Sequence, residues 1–504
     1  MSPVAVATER RSAPPSVFPP AAAPARRTRR GPGLDALFTG VFALFGWALG
    51  IGPLSDNSFF WHVRTGRLIL DSGFPHSDPF SYTAPGVHWV VQSWLAEVLY
   101  AAVERVAGGF GIRVLIGLTG VAIAVLAFRL ALRLARDRVR AALLTAAALA
   151  SLSTLWSERP LVLGLVAFLV LIWVVEVPEC RVGRRPLLVL PIVFWCWANV
   201  HGTFALGFAY LGLHLLGRWV EGHRPTEGRE RQLLLAGAAG FAVTFLNPYG
   251  VGLVTFPVDL LGRSDILRHV VEWGSPDFHT LAGVVFALWI VVFAVIASRA
   301  SGRLSRRDLI VAVPFLLLGL WALRNIAIAP LVGLPIAARV VTRPRARAPG
   351  DEPSDSRGLR WTLAAALALV VVVLTVRAAA QPDFAFAGYP VGAMQAVQRH
   401  GLLGRRILTS DADAGYVILR DWPAQRVFLD DRYDMYPRPL IADYLTVSHA
   451  RPGWDKVLTR YDVQVIVWAP ADPLVALAQA SGHWRTLYRD HSRVVLVRDD
   501  VRTT

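Results

Sequence analysis

The chain has 504 residues, is 54% hydrophobic and only 17% charged, and carries a formal net charge of +16. It is more apolar than an average soluble protein, and the apolar residues come in blocks, so the expected class is a multi-span α-helical membrane protein. Its positive charge sits in short loops rather than on a nucleic-acid-binding face, Cys180 and Cys196 give no support to a disulfide framework or a cysteine metal site, and no P-loop, GxGxxG or HExxH run appears.

Residues 1–33, rich in Pro, Ala, Ser and Arg, lack the large apolar side chains needed to fold and read as a disordered cytoplasmic tail. The next run, 34–54, shows no small-x-small cleavage site and reads as a membrane anchor rather than a signal peptide. Further apolar runs lie at 111–131, 141–156, 160–177, 187–200, 203–219, 232–246, 280–298, 309–322, 325–341 and 360–379. A spanning helix needs about 20 residues, which makes about eleven transmembrane helices within 34–379. As single helices, Leu187 to Leu216 and Ile310 to Val341 would reach about 45 and about 48 Å, against a hydrocarbon core of about 30 Å. Each must turn back. Polar midpoints mark the turns: Ser157-Glu158-Arg159-Pro160, Asn199-Val200-His201-Gly202 and Arg324-Asn325.

Arginines cluster at Arg26 to Arg30, Arg129 to Arg140, Arg181 to Arg185, Arg218 to Arg231, Arg299 to Arg307 and Arg339 to Arg360. Short loops rich in Lys and Arg stay in the cytoplasm. That rule places the N-terminus and the linker 342–359 inside the plasma membrane. Outside it fall a first loop at about 55–110, the segment 247–279, the hairpin tips and residues 380–504. Val251 to Val271 mixes apolar residues with Asp259, Arg263, Asp265 and Arg268, the pattern of an amphipathic helix at the outer surface. In the tail, β-rich runs at 405–410, 415–420, 426–430, 463–469 and 493–498 alternate with helical patterns at 391–402, 439–448 and 473–481. This predicts an extracytoplasmic α/β domain over 380–504.

Polar residues near the membrane concentrate in the first outer loop. Asp56 stands at the outer end of the first span, where a carboxylate serves as general base on an acceptor hydroxyl or binds a metal that neutralises a phosphate. A short Asp at that place is equally a turn or helix-end residue. His62, Arg64 and Asp78 follow; His76-Ser77-Asp78-Pro79 reads as well as a turn. Arg324 beside Asn325 suits a phosphate, since guanidinium binds phosphate bidentately; the plain alternative is snorkelling to the interface. Asn199 and His201, at a tip where Gly202 allows close approach, suit sugar hydroxyls or simple solvation. Glu272 beside Trp273 has the form of a sugar-stacking pair, and Glu158-Arg159 reads as an internal ion pair. In the tail, Ser410-Asp411-Ala412-Asp413 and Asp430-Asp431-Arg432-Tyr433-Asp434 follow predicted strands, where α/β sheets place ligands, although turns and ion pairs are the commoner use.

Several runs together resemble a known family. Asp56 at the end of the first helix, WHVRTG at 61–66, DPFSYT at 78–83 and SWL at 93–95 resemble the first outer loop of bacterial GT-C-fold glycosyltransferases. WANVHG at 197–202, LNPYG at 246–250, EW at 272–273 and LRN at 323–325 are similar to later elements of that group. The resemblance implies transfer of a hexosyl or pentosyl group from a polyprenyl-phosphate donor to an extracytoplasmic glycan, lipid or protein, with Asp56 as the catalytic carboxylate. Many members carry a second acid close to the first. Here Asn57 follows Asp56, which leaves Asp78 to supply a second carboxylate and leaves dependence on a divalent metal, Mg or Mn, open. A non-catalytic transporter or flippase would favour midplane sites and internal repeats, neither of which the sequence shows; an envelope-assembly scaffold would work through its outer domain.

Overall fold

A computed structural model describes residues 33–177, 185–267, 270–300, 302–342 and 357–503, and in it a helix covers each of the apolar runs. The tail 1–32, Cys180 with Arg181 and Arg184, Arg268 and most of the linker 342–359 lie outside the described residues. Among the described residues, four helices are long and apolar enough to cross a membrane, at 94–135, 281–298, 323–340 and 358–379. Shorter apolar helices among the described residues lie at 34–50, 161–176, 185–200, 204–220 and 251–261.

α1 (Leu34–Gly50) runs along α3 (Trp94–Ala135) at close range because both are glycine-lined at the crossing. A Cβ on Gly46 would strike the backbone of Gly120, and one on Gly50 the backbone of Ile116 and Gly117. Small residues are what lets two backbones approach inside lipid. The segment 55–110, expected to form the first outer loop, is largely helical, formed by α2 (Asn57–Ser72) and the first half of α3, which breaks at Ala107–Gly108 before entering the apolar run.

α4 (Arg138–Ser153) and α5 (Leu161–Glu176) are separated by the Ser157–Pro160 turn, as are α6 (Arg185–Val200) and α7 (Phe204–Val220) by the His201 turn. α8 (Gly228–Thr244) follows. The amphipathic stretch after it is not one helix but α9 (Val251–Leu261), the short α10 (Ser264–Leu267) and a 3-10 turn at Val271–Trp273. Gly262 and Gly274 flank these pieces, and glycine is a poor helix residue. α11 (Leu281–Ser298), α12 (Arg306–Trp321), a 3-10 turn at Leu323–Ala327 and α13 (Ala329–Val340) come next. α14 (Arg357–Ala379) packs on α1 and leaves Leu369, Val372 and Val376 exposed, a surface suited to lipid rather than water.

The two ends of the bundle differ in chemistry. At one end loop arginines meet helix termini: Arg138 pairs with Asp35 at 2.5 Å, Arg229 donates to the Val175 carbonyl and Arg303 to the Val340 carbonyl. Glu176 and Asp308 there receive Arg307 and Arg339. α5 runs from this end to Arg159; at 1.5 Å per residue, its 16 residues separate the two by about 24 Å.

Beyond α14 lies a four-stranded sheet of order β1-β2-β4-β3, from Ile407–Thr409, Val465–Trp468, Trp484–Arg489 (β3) and Val494–Arg498 (β4). β1 and β2 are parallel, and the other pairs are antiparallel. α15 (Val391–Arg399), α16 (Asp411–Asp421), α17 (Arg438–Ser448), α18 (Trp454–Arg460) and α19 (Pro473–Ala480) surround it. Two strands expected from the sequence are absent. Run 415–420 lies inside α16, whose first turn carries Asp411 and Asp413 against the positive end of the helix dipole; a short apolar run does not by itself distinguish strand from buried helix. Run 426–430 makes only an isolated bridge, Val427 to Ser81. β3, mostly half-buried, had no matching expectation.

Candidate active site

Asp56 is the N-cap of α2, and its Oδ1 accepts from the Phe59 backbone N–H at 2.9 Å. The helix start therefore fixes the carboxylate before any tertiary contact forms. Arg159, from the α4–α5 turn, donates through Nε to both Asp56 oxygens at 2.9 and 3.0 Å, and through Nη1 to Glu272 Oε1 at 2.6 Å. Glu158 is not the partner of Arg159: its Oε1 accepts from the Ser55 N–H at 3.1 Å. The expected Glu158–Arg159 ion pair is thus corrected, because adjacent residues on a turn point to different partners. Although burial lowers the Arg159 pKa, Asp56 and Glu272 hold it above its ordinary value. Burial, with Asp56 nearby, pushes the Glu158 carboxyl up.

Trp273 follows Glu272 and lies flat under Arg324, whose guanidinium carbon is 4.5 Å from the ring centroid. The Leu323 N–H donates to the Gly274 carbonyl at 2.8 Å, which locks these two turns together. Among the described residues, the Arg324 guanidinium has no hydrogen-bond partner or paired carboxylate; Glu272 and Arg159 lie within electrostatic reach. His201 joins the same zone, with Nδ1 3.0 Å from Thr203 Oγ1. Burial, then Arg324 and Arg159, push its imidazole down to about 3, so it is neutral at physiological pH.

A second carboxylate arrives from the far end of the chain. Asp431 accepts from Asn57 Nδ2 at 3.0 Å, Ser58 Oγ at 2.5 Å and Trp61 Nε1 at 2.6 Å. Burial pushes its carboxyl up to about 7, with Asp430 and Asp56 adding to the effect and Arg159 opposing it. Asn57 uses the rest of its amide on α16: Nδ2 also donates to the Asp411 carbonyl at 3.0 Å, and Oδ1 accepts from the Gly415 N–H at 2.8 Å. An aspartate at 57 has no N–H to donate, so an amide there fits the docking of the C-terminal module.

Other residues singled out by sequence are engaged elsewhere. The Asp78 carboxylate is fully buried and holds Arg432 at 2.7 Å together with the Phe80 and Ser81 N–H groups. Arg432 is in turn bound to Asp430 and stacked on Trp89 at 4.3 Å, so this pair is a buried tie between loop and module. His62 Nδ1 meets Glu97 Oε1 at 2.7 Å; burial, then Arg159 and His201, lower its pKa well below the ordinary value. Arg64 donates to the Trp422 carbonyl at 2.6 Å and lies 4.8 Å from its ring. Asn199 accepts from Trp94 Nε1 and donates to the Trp195 carbonyl, and Asn325 donates to the Leu318 carbonyl. Asp56, Glu272, Trp273, Arg324 and His201 therefore come together around Arg159. Asp78, Asn199, Asn325 and Arg64 spend their polar groups on the fold. The residues missed were Arg159 and Asp431, although their charged runs stood out in sequence.

Among the described residues, no group of three His, Cys, Asp or Glu is placed to hold a metal ion. The position a cation would take on Asp56 belongs to the Arg159 guanidinium, so the arrangement does not fit a metal bound there.

No protein-family model and no curated protein matches the chain. Solved structures do. The apo oligosaccharyltransferase of Archaeoglobus fulgidus superposes with a TM-score of 0.54 at 11% identity, over 93% of this chain and 75% of that one. ArnT from Cupriavidus metallidurans bound to undecaprenyl phosphate gives 0.52 at 15% identity, over 92% and 98%; its apo state gives 0.51 at 16%, over 92% and 97%. Both proteins have the GT-C fold, and this chain shares it.

Proposed function

We propose that the chain is an integral membrane glycosyltransferase that moves a sugar from a polyprenyl phosphate to an acceptor hydroxyl outside the cytoplasm. The observation that carries this is the Arg324 guanidinium, hydrogen-bonded to no described residue, held over Trp273 and within electrostatic reach of Arg159, which itself orients the Asp56 carboxylate. ArnT, of the same fold, is seen with undecaprenyl phosphate, which supports the donor class. Sidedness follows the arginine loops: about eleven spans, the N-terminus inside, and the first loop with residues 380–504 outside.

In the reaction, the acceptor oxygen attacks the anomeric carbon and inverts it. The bond from that carbon to the phosphate oxygen breaks, and its electron pair leaves with the phosphate. Asp56 takes the acceptor proton. Arg159 holds both Asp56 oxygens in place, and the proton moves as positive charge grows on the attacking oxygen. Arg324 binds the phosphate oxygens and stabilises the charge they gain on departure. Trp273 offers a face for the sugar, and neutral His201 a hydrogen bond.

Asp56→Asn tests the assignment. Loss of a positioned base costs about 10²–10⁴-fold in rate, with donor binding retained. A variant that still transfers sugar at more than a tenth of the wild-type rate removes Asp56 from the chemistry. Protein that transfers from no polyprenyl-phosphate sugar yet moves lipid between leaflets is a flippase instead.

A further inference from the structure

At the seam between the first loop and the C-terminal module lies a pocket of about 310 Å³, lined by Tyr82, Gly404, Arg405, Arg406, Pro423 and Arg426 among others. A volume of roughly 300 Å³ or more is enough for a small ligand. Its walls are fixed from both sides. The Tyr82 N–H donates to the Val427 carbonyl at 3.1 Å, Thr83 donates to the Phe428 carbonyl, and Gly404 N–H donates to Gln425 Oε1 at 2.9 Å.

The lining is cationic and largely uncompensated. Arg406 leans on the Tyr461 carbonyl at 3.3 Å and on Asp462 at 3.7 Å. Arg405 and Arg426 are exposed and have neither a side-chain hydrogen bond nor a paired carboxylate among the described residues. Guanidinium forks facing a concave space are complementary to phosphate or carboxylate oxygens. The chain then runs from Arg426 to Asp431 in five residues, so the pocket rim is at most about 18 Å from the catalytic zone.

We infer that this pocket binds an oxyanion carried by the acceptor, a phosphate or carboxylate on a sugar chain, and so selects acidic acceptors. The acceptor role rests on the proposed transfer reaction; the oxyanion site does not. Binding is therefore measured without turnover, on full-length protein in neutral-lipid nanodiscs, with glucose 6-phosphate, glucuronate, inorganic phosphate and uncharged glucose as probes. The expected result is saturable binding of the two acidic sugars, tighter than inorganic phosphate, and none of glucose. Arg405→Ala/Arg426→Ala should weaken it at least tenfold, Arg405→Lys/Arg426→Lys by less, and Asp56→Asn should leave it unchanged. Absent saturable binding, equal or tighter binding of inorganic phosphate, or binding that survives the double alanine variant overturns the inference. Binding that behaves as expected in protein without transfer activity supports the oxyanion site and counts only against the transferase assignment.

Discussion

Arg159 is the residue on which the arrangement of the site turns, and its removal has a calculable effect. Arg159→Ala deletes the Nε–H shared between the Asp56 oxygens at 2.9 and 3.0 Å and the Nη1–H on Glu272 at 2.6 Å. The Asp56 side chain is 16% exposed and the Glu272 side chain 42%, so the two contacts are unequal. A charge-assisted hydrogen bond to a mostly buried carboxylate contributes about 1.5–3 kcal/mol, whereas a solvent-exposed pair contributes about 0–1 kcal/mol. If orientation of Asp56 is lost in the transition state, the barrier rises by about 2–3 kcal/mol, or about 30- to 160-fold in rate at about 1.36 kcal/mol per tenfold. The assay is single-turnover transfer from a labelled polyprenyl-phosphate sugar at saturating donor, with donor affinity measured separately on monodisperse protein. The single-turnover rate should fall while donor affinity changes by less than threefold. Arg159→Lys, which keeps the charge but reaches one partner, should recover part of the rate. Retention of more than a third of the rate in the alanine variant, or a loss confined to donor affinity, refutes the idea that Arg159 orients the base.

Arg324→Ala should weaken donor binding about ten- to a hundredfold, from the loss of one charged hydrogen bond of about 1.5–3 kcal/mol, and Arg324→Lys by less; unchanged binding by direct titration returns Arg324 to interfacial snorkelling. Asn57→Asp removes both Nδ2 hydrogen bonds and sets a carboxylate against Asp431; docking of the C-terminal module should weaken by about 2–4 kcal/mol, seen as faster hydrogen exchange in α16, and unaltered exchange there counts against the clamp. The Asp431 carboxyl, raised by burial to about 7, holds its proton in the folded state where the unfolded chain has lost it. Folded protein therefore binds the extra proton between about pH 4 and about pH 7, and stability from this group declines as pH rises through that window. Melting temperature should fall from pH 5 to pH 8 in wild type and fall less in Asp431→Asn; parallel curves would show that Asp431 does not titrate in this range.

Sequence alone determined the membrane-helix class, the apolar runs, the turns that split them and the position of Asp56 just beyond the first run; that Asp56 caps the next helix came from the structure. The features read from sequence are local: length and hydropathy need no distant partner. Arg324 and Glu272-Trp273 were visible for a similar reason, as polar groups at apolar junctions. What tertiary structure decided was partnership. Arg159 sits next to Glu158 in the chain, yet pairs with Asp56 and Glu272, each more than a hundred residues away. Asp78 read either as a turn residue or as a second carboxylate for Asp56; its partner is Arg432, 354 residues later, in a buried ion pair. Run 415–420 became helix because α16 docks its N-terminal turns on Asn57, and short apolar runs take the form their packing surface requires. Long-range charge pairing and module docking are set by packing geometry, which leaves no periodic trace in the sequence.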